Sequence, residues 1–187
     1  LARQIEGGAR ADVFMSADPT WGSYLAGRGL HVSGDTMRIT TSLVLIARGG
    51  KGGAFPADRI SEVRRLAIGD PAYVPAGAYA REWLDCMDLW TRVSDRLVPT
   101  VDVRAAVAAV LSGAVDAAIV YASDVLVAGQ SPNVAVAPLD YSCQPIVRYG
   151  IFVLMGEDVS AAGSSFASFA NAPEQRTIWE RFGFEWR

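Results

Sequence analysis

The stretch Asp102–Asp124, DVRAAVAAVLSGAVDAAIVYASD, decides the fold. Asp102 suits a helix N-cap, because its carboxylate can accept from a first-turn N–H that has no partner inside the helix. Ala106, Val107, Val110 and Leu111 then give one apolar face over Val103–Ser112, and Gly113 terminates the helix. Ala117–Tyr121 (AAIVY) follows as an uninterrupted apolar run of strand length. A capped helix running into a strand buried on both faces belongs to an α/β layer structure.

The same grammar extends outward. Arg65–Gly69 (RLAIG) reads as a strand, followed by Asp70-Pro71, by Val74-Pro75-Ala76-Gly77 and then by a helix. In that helix Tyr79, Trp83, Leu84, Met87 and Trp90 fall near helical spacing, which is a packing stripe rather than a ligand cage. Ser42–Ala47 (SLVLIA) is another strand apolar on both faces, and Val134–Ala137 and Ile146–Leu154 are two more. Towards the start, Leu1–Glu6 reads as a helix end stopped by Gly7-Gly8. Ala11–Ser16 is a short strand, and Asp18-Pro19 opens a helix ended by Gly27 and Gly29. Two helices close the chain, the second running from Pro173-Glu174 to Gly183. Strands alternating with helices predict an α/β fold with mostly parallel sheets.

Bulk properties remove several classes. The 187 residues are 51% hydrophobic and 20% charged, within the ordinary globular range. The net charge is −3 and the cations do not cluster, so no nucleic-acid partner is expected, nor a basic membrane-binding patch. No apolar run is long enough to span a bilayer. The chain starts at Leu1 rather than Met and shows no signal peptide, which reads as a processed chain or a fragment. Gly49–Gly53 (GGKGG) lacks the Ser or Thr that a phosphate-binding loop carries after its lysine and reads as a surface loop.

No catalytic set emerges. There is no GxSxG elbow, and the one histidine, His31, has no nucleophile nearby in sequence. Asp85 and Asp88 stand at i, i+3 on a solvated helix face. Cys86 and Cys143 fit no metal spacing, and the expectation is two separate buried thiols, with a disulfide as the alternative in an oxidising compartment. What does recur is an abrupt helix start, at Val74–Gly77 and again at Asp102–Arg104. Such an end offers unpaired N–H groups and a partial positive charge to an anion. In α/β sheets these ends gather at the carboxyl edge, where Tyr121 also terminates a strand.

Four stretches carry a resemblance: LARQIEGGARADVFMSAD (Leu1–Asp18), RLAIGDPAYVPAGAYAREWL (Arg65–Leu84), LVPTVDVRAAVAAVLSGAVDAAIVYASD (Leu97–Asp124) and ERFGF (Glu180–Phe184). Together they resemble the periplasmic molybdate-binding proteins of ABC importers. The resemblance implies a two-lobed, periplasmic-binding-protein-like fold joined by crossover strands, with residues 1–43 and 149–187 as lobe I and 44–148 as lobe II. It implies a molybdate- or tungstate-type oxyanion held by neutral donors, of which one lobe supplies the N–H groups of Ala76 and Val103 and the hydroxyl of Tyr121. These three would touch the anion's oxygens, so none is a direct metal ligand, and no resident cofactor is implied. The implied partner is a membrane permease, the implied place the periplasm, and the expected state a monomer. In the family, a strand, a helix and a second strand precede the LARQIE motif and bring two serine-bearing loops to the site. Lobe I is therefore expected to be incomplete at its N-terminus. Arg148-Tyr149-Gly150 departs from the family, which often has proline there. Two alternatives stand beside transport: a regulatory domain of the same fold sensing another small anion, and a truncated chain with impaired binding.

Overall fold

The computed structural model describes residues 1–49, 57–128, 133–155 and 161–187. The chain divides into two compact units, one of Leu1–Thr40 with Val147–Arg187, the other of Thr41–Ile146.

In the first unit the strands are β1 (Val13–Ser16), β2 (His31–Thr41), β8 (Val147–Met155) and β9 (Glu185–Trp186), in the sheet order β1-β8-β2-β9. Helices α1 (Ala2–Glu6), α2 (Thr20–Gly27), α7 (Ala161–Ala170) and α8 (Arg176–Arg181) belong to it. Asp18 opens α2 as expected, its Oδ1 accepting from the N–H of Thr20 at 2.9 Å. One core cluster centres on Phe152, whose ring stacks on Phe14 at 6.0 Å. A Cβ at Gly22, Gly34 or Gly150 would run into that ring, so three glycines on three different elements form its socket. A second cluster joins Met37, Ile39, Ile151 and Ala170, with Trp179 and Phe184 packed against it.

The second unit holds β3 (Leu43–Arg48), β4 (Leu66–Gly69), β5 (Leu97–Thr100), β6 (Ala117–Tyr121) and β7 (Val134–Pro138), in the order β5-β4-β6-β3-β7. Its helices are α3 (Pro75–Cys86), α4 (Trp90–Val93), α5 (Val103–Ser112) and α6 (Val125–Ala128). β4 and β6 are buried at every position, as are Leu43–Ala47 of β3, because helices cover the sheet. Trp83 and Leu84 of α3 and Ala106, Val107 and Val110 of α5 are buried as expected, whereas Leu111, also expected on the buried face of α5, is 42% exposed.

The α/β class and the two helix-flanked sheets agree with expectation, but the sheets are not mostly parallel, and the second is mixed. β4–β5 and β4–β6 are parallel, whereas β1–β8, β2–β9, β3–β6 and β3–β7 are antiparallel. The reason is the route into β3. It follows β2 after a single residue, Ser42, without a helical crossover, so nothing forces it parallel to β6. The α3 stripe is also shorter than its spacing implied. The helix ends at Cys86, Asp88 takes φ 54°, and Trp90 begins a new turn where Arg81 lies over its ring at 4.7 Å. Asp85 and Asp88 are exposed, as a solvated face requires. Of the GGKGG loop only Gly49 falls within the described residues.

The expectation of two buried thiols is corrected. Cys86 and Cys143 form a disulfide with Cα atoms 5.8 Å apart. Cys86 is the last residue of α3 rather than a mid-helix packing residue, and Cys143 lies in the 3-10 turn Tyr141–Cys143. The Trp83 indole N–H donates to the Asp140 carbonyl at 3.3 Å and holds the same turn against the same helix.

Candidate functional site

The carboxyl ends of three neighbouring strands build the site. β5, β4 and β6 lie side by side and parallel, so their carboxyl ends share one edge of the sheet. The connection after β4 leads into α3, the connection after β5 leads into α5, and β6 stops at Tyr121. All three residues singled out from the sequence, Ala76, Val103 and Tyr121, are on this edge, and all three are buried or nearly so.

After β4 the turn is wound tightly. Asp70 Oδ1 accepts from the N–H of Ala72 at 2.9 Å, and the Asp70 carbonyl accepts from the N–H of Val74 at 2.8 Å. Val74 is extended (φ −112°, ψ 118°), Pro75 takes the first helical position, and no side chain caps the helix. A Cβ at Gly77 would collide with the Gly69 carbonyl, so the first turn of α3 can lie directly on the end of β4 only because residue 77 is glycine. The N–H of Ala76 is left without a hydrogen-bond acceptor among the described residues.

After β5 the cap works as expected. Asp102 is extended (φ −161°, ψ 173°), and its Oδ1 accepts from the N–H of Ala105 at 2.7 Å. The Thr100 hydroxyl donates to the Asp102 carbonyl at 2.8 Å and fixes the approach. The cap takes the Ala105 donor, while the N–H of Val103, a first-turn donor, has no acceptor among the described residues. Gly113 terminates α5 at φ 78°.

Tyr121 is set by the strand pairing. It lies opposite Leu43, and the N–H of Ala122 donates to the Ser42 carbonyl at 2.9 Å. Gln144 grips Leu43 from the other side: its Oε1 accepts from the Leu43 N–H at 3.1 Å and its Nε2 donates to the Leu43 carbonyl at 2.7 Å. The phenol oxygen of Tyr121 is shielded from solvent.

One residue of this edge was not singled out from the sequence. Asp124 closes the 3-10 turn Ala122–Asp124, and its carboxyl pKa is pushed up to about 6. Burial is the main cause. A backbone hydrogen bond from Tyr121 and the charge of Arg104 act in the opposite sense, and the charge of Asp102 adds to the rise. The only sequence signal was a carboxylate three residues beyond the end of a buried strand. Among the described residues, no group of three His, Cys, Asp or Glu could hold a metal ion. Of His31 only the backbone is described, as the first residue of β2.

A model of the bacterial extracellular solute-binding proteins matches residues 1–185. The chain belongs to that family. Among the relatives of this solute-binding protein is the molybdate-binding protein ModA of Haemophilus influenzae, 37% identical over 98% of this chain and 74% of that protein. ModA of Escherichia coli is 34% identical over the same shares. The periplasmic molybdate-binding protein of Azotobacter vinelandii superposes with a TM-score of 0.84, covering 100% of this chain and 83% of that one. At 22% identity that likeness shows a shared fold.

Proposed function

We propose that this solute-binding protein captures a molybdate- or tungstate-type oxyanion and delivers it to the permease of an ABC importer. The observation that carries the reading is the convergence of Ala76, Val103 and Tyr121 on one edge of three adjacent parallel strands. The N–H groups of Ala76 and Val103 and the hydroxyl of Tyr121 are neutral donors. The two N–H groups are oriented by backbone geometry before the anion arrives, so they need little reorganisation on binding. Two helix N-termini add partial positive charge without introducing a counter-ion that would have to be desolvated. The names of the two curated relatives supply the size class of the anion. A donor set spaced for a larger tetrahedral oxyanion discriminates against sulfate by leaving donors unsatisfied.

The same reading assigns no catalytic residue, no resident cofactor and no direct metal ligand, since the donors meet oxygens. Cys86 is bonded to Cys143 and so offers no thiol nucleophile. That disulfide supports an oxidising compartment, here the periplasm. We read the protein as a monomer that does not bind nucleic acid. Calorimetric titration with molybdate, tungstate, sulfate and phosphate tests the reading. Molybdate or tungstate is expected to bind tightest; tightest binding of sulfate or phosphate overturns the anion assignment, and no binding of any oxyanion overturns the function.

A further inference from the structure

Asp124 lies in the turn that adjoins two of the elements carrying the proposed donors, and neutral-donor recognition does not explain it. The turn it closes follows Tyr121 directly and packs against α5, the helix that begins with Val103. The charges acting on its carboxyl are Asp102 and Arg104, the two residues that flank Val103, and the hydrogen bond it receives comes from the backbone of Tyr121. Its other oxygen, Oδ2, is buried and has no hydrogen-bond partner among the described residues. Helix α6, next along the chain, adds no titratable side chain, being Val125-Leu126-Val127-Ala128.

An ionised carboxylate only accepts, so beside a dianion it opposes binding; a protonated one is a neutral donor like the three already named. We propose that the site takes up its oxyanion together with one proton, carried on Asp124 and returned to solvent when the anion leaves. This rests on the oxyanion reading of the same site. The balance is simple: a proton from solvent joins the Asp124 carboxylate, the dianion binds unchanged, and no other bond forms or breaks. Burial already holds Asp124 at about 6 in the empty site. A dianion close by raises it further, as any like charge does. Between the empty-site value and the higher value in the complex, binding therefore takes up protons and affinity falls as pH rises. For one linked proton the fall approaches about ten-fold per pH unit. The charge of Arg104 limits the effect, and that of Asp102 reinforces it.

The test is titration with molybdate at pH 6, 7 and 8, repeated at pH 7 in two buffers of different ionisation enthalpy. The expected result is net proton uptake per bound anion at pH 7 and a dissociation constant that weakens from pH 6 to pH 8. Asp124→Asn should abolish the uptake, flatten the pH profile and bind more tightly than the unaltered protein at pH 8. A merely structural role would move the affinity at every pH alike and leave the proton count unchanged. Binding without proton uptake, with a flat profile in the unaltered protein, overturns the inference, as does an Asp124→Asn protein that keeps the uptake. The two-buffer comparison needs no variant, so it decides even if Asp124→Asn fails to fold. No molybdate binding at any pH overturns the oxyanion reading, and this inference with it.

Discussion

At the scale of single residues, this edge of the sheet shows how a neutral donor and a charged group acquire roles from burial. Tyr121 brings one hydroxyl to the end of β6 and is only 8% exposed, so a ligand oxygen placed there meets a donor with little competition from water. Tyr121→Phe keeps the ring and removes the hydroxyl. It should weaken oxyanion binding by about 1–3 kcal/mol, the usual result of leaving a buried polar partner unmatched, with little change in the unfolding midpoint. Titration of the variant checks this, and an unchanged affinity removes Tyr121 from the site. The helix starts at Val74–Gly77 and Asp102–Arg104 and the strand end at Tyr121 were legible in the sequence, because such positions announce themselves by caps, prolines and apolar runs; Ala76 and Val103 as the individual donors were implied only by the resemblance. Asp124 was not legible as a site residue. Ser123-Asp124 after a strand reads as an ordinary polar turn, and only packing, including that of the turn against α5, half-buries Asp124 and withdraws its Oδ2 from water. Thr41 makes the same point: it is 4% exposed with its hydroxyl unpartnered among the described residues, and nothing in its neighbours announced burial.

At the scale of elements, α5 is the part whose start matters most. Its cap, Asp102 Oδ1 accepting from the Ala105 N–H at 2.7 Å, starts the helix and orders the first turn that carries the Val103 N–H. Asp102→Ala should cost about 0.5–2 kcal/mol of stability, the range for losing an N-cap side chain, measurable by urea unfolding. It should also weaken oxyanion binding, since the first turn loses the bond that orders it. An unaltered unfolding curve would show that the cap is dispensable. The βαβ grammar of this region was readable because each element satisfies its own local rule: cap, apolar face, αL glycine, apolar strand. The direction of β3 was not. Its sequence is equally suited to a parallel or an antiparallel central strand, and the choice rests on its long-range pairing with β6 and β7.

At the scale of the whole molecule, the Cys86–Cys143 disulfide ties the end of α3 to a turn 57 residues later, and α3 is the helix whose first turn carries Ala76. Closing a loop of that length restricts the unfolded chain by about 4 kcal/mol in the chain-entropy treatment. Reduction, or Cys86→Ser with Cys143→Ser, should therefore lower stability by a few kcal/mol, read as a lower unfolding midpoint in denaturant. An unchanged midpoint would show that the bridge contributes nothing.

By itself the sequence determined the α/β class, the positions of most helices and strands, and the two helix starts that define the candidate site, because these follow from periodicity and local backbone chemistry. The resemblance in its motifs pointed to solute-binding proteins of ABC importers, and the match over residues 1–185 establishes membership of the bacterial extracellular solute-binding proteins. Only the tertiary structure decided the mixed pairing of the sheets, the cysteine bridge and the burial of Asp124. Each of these depends on which distant segments become neighbours: a thiol finds its partner, a strand its direction and a carboxyl its dielectric surroundings only once the chain has packed.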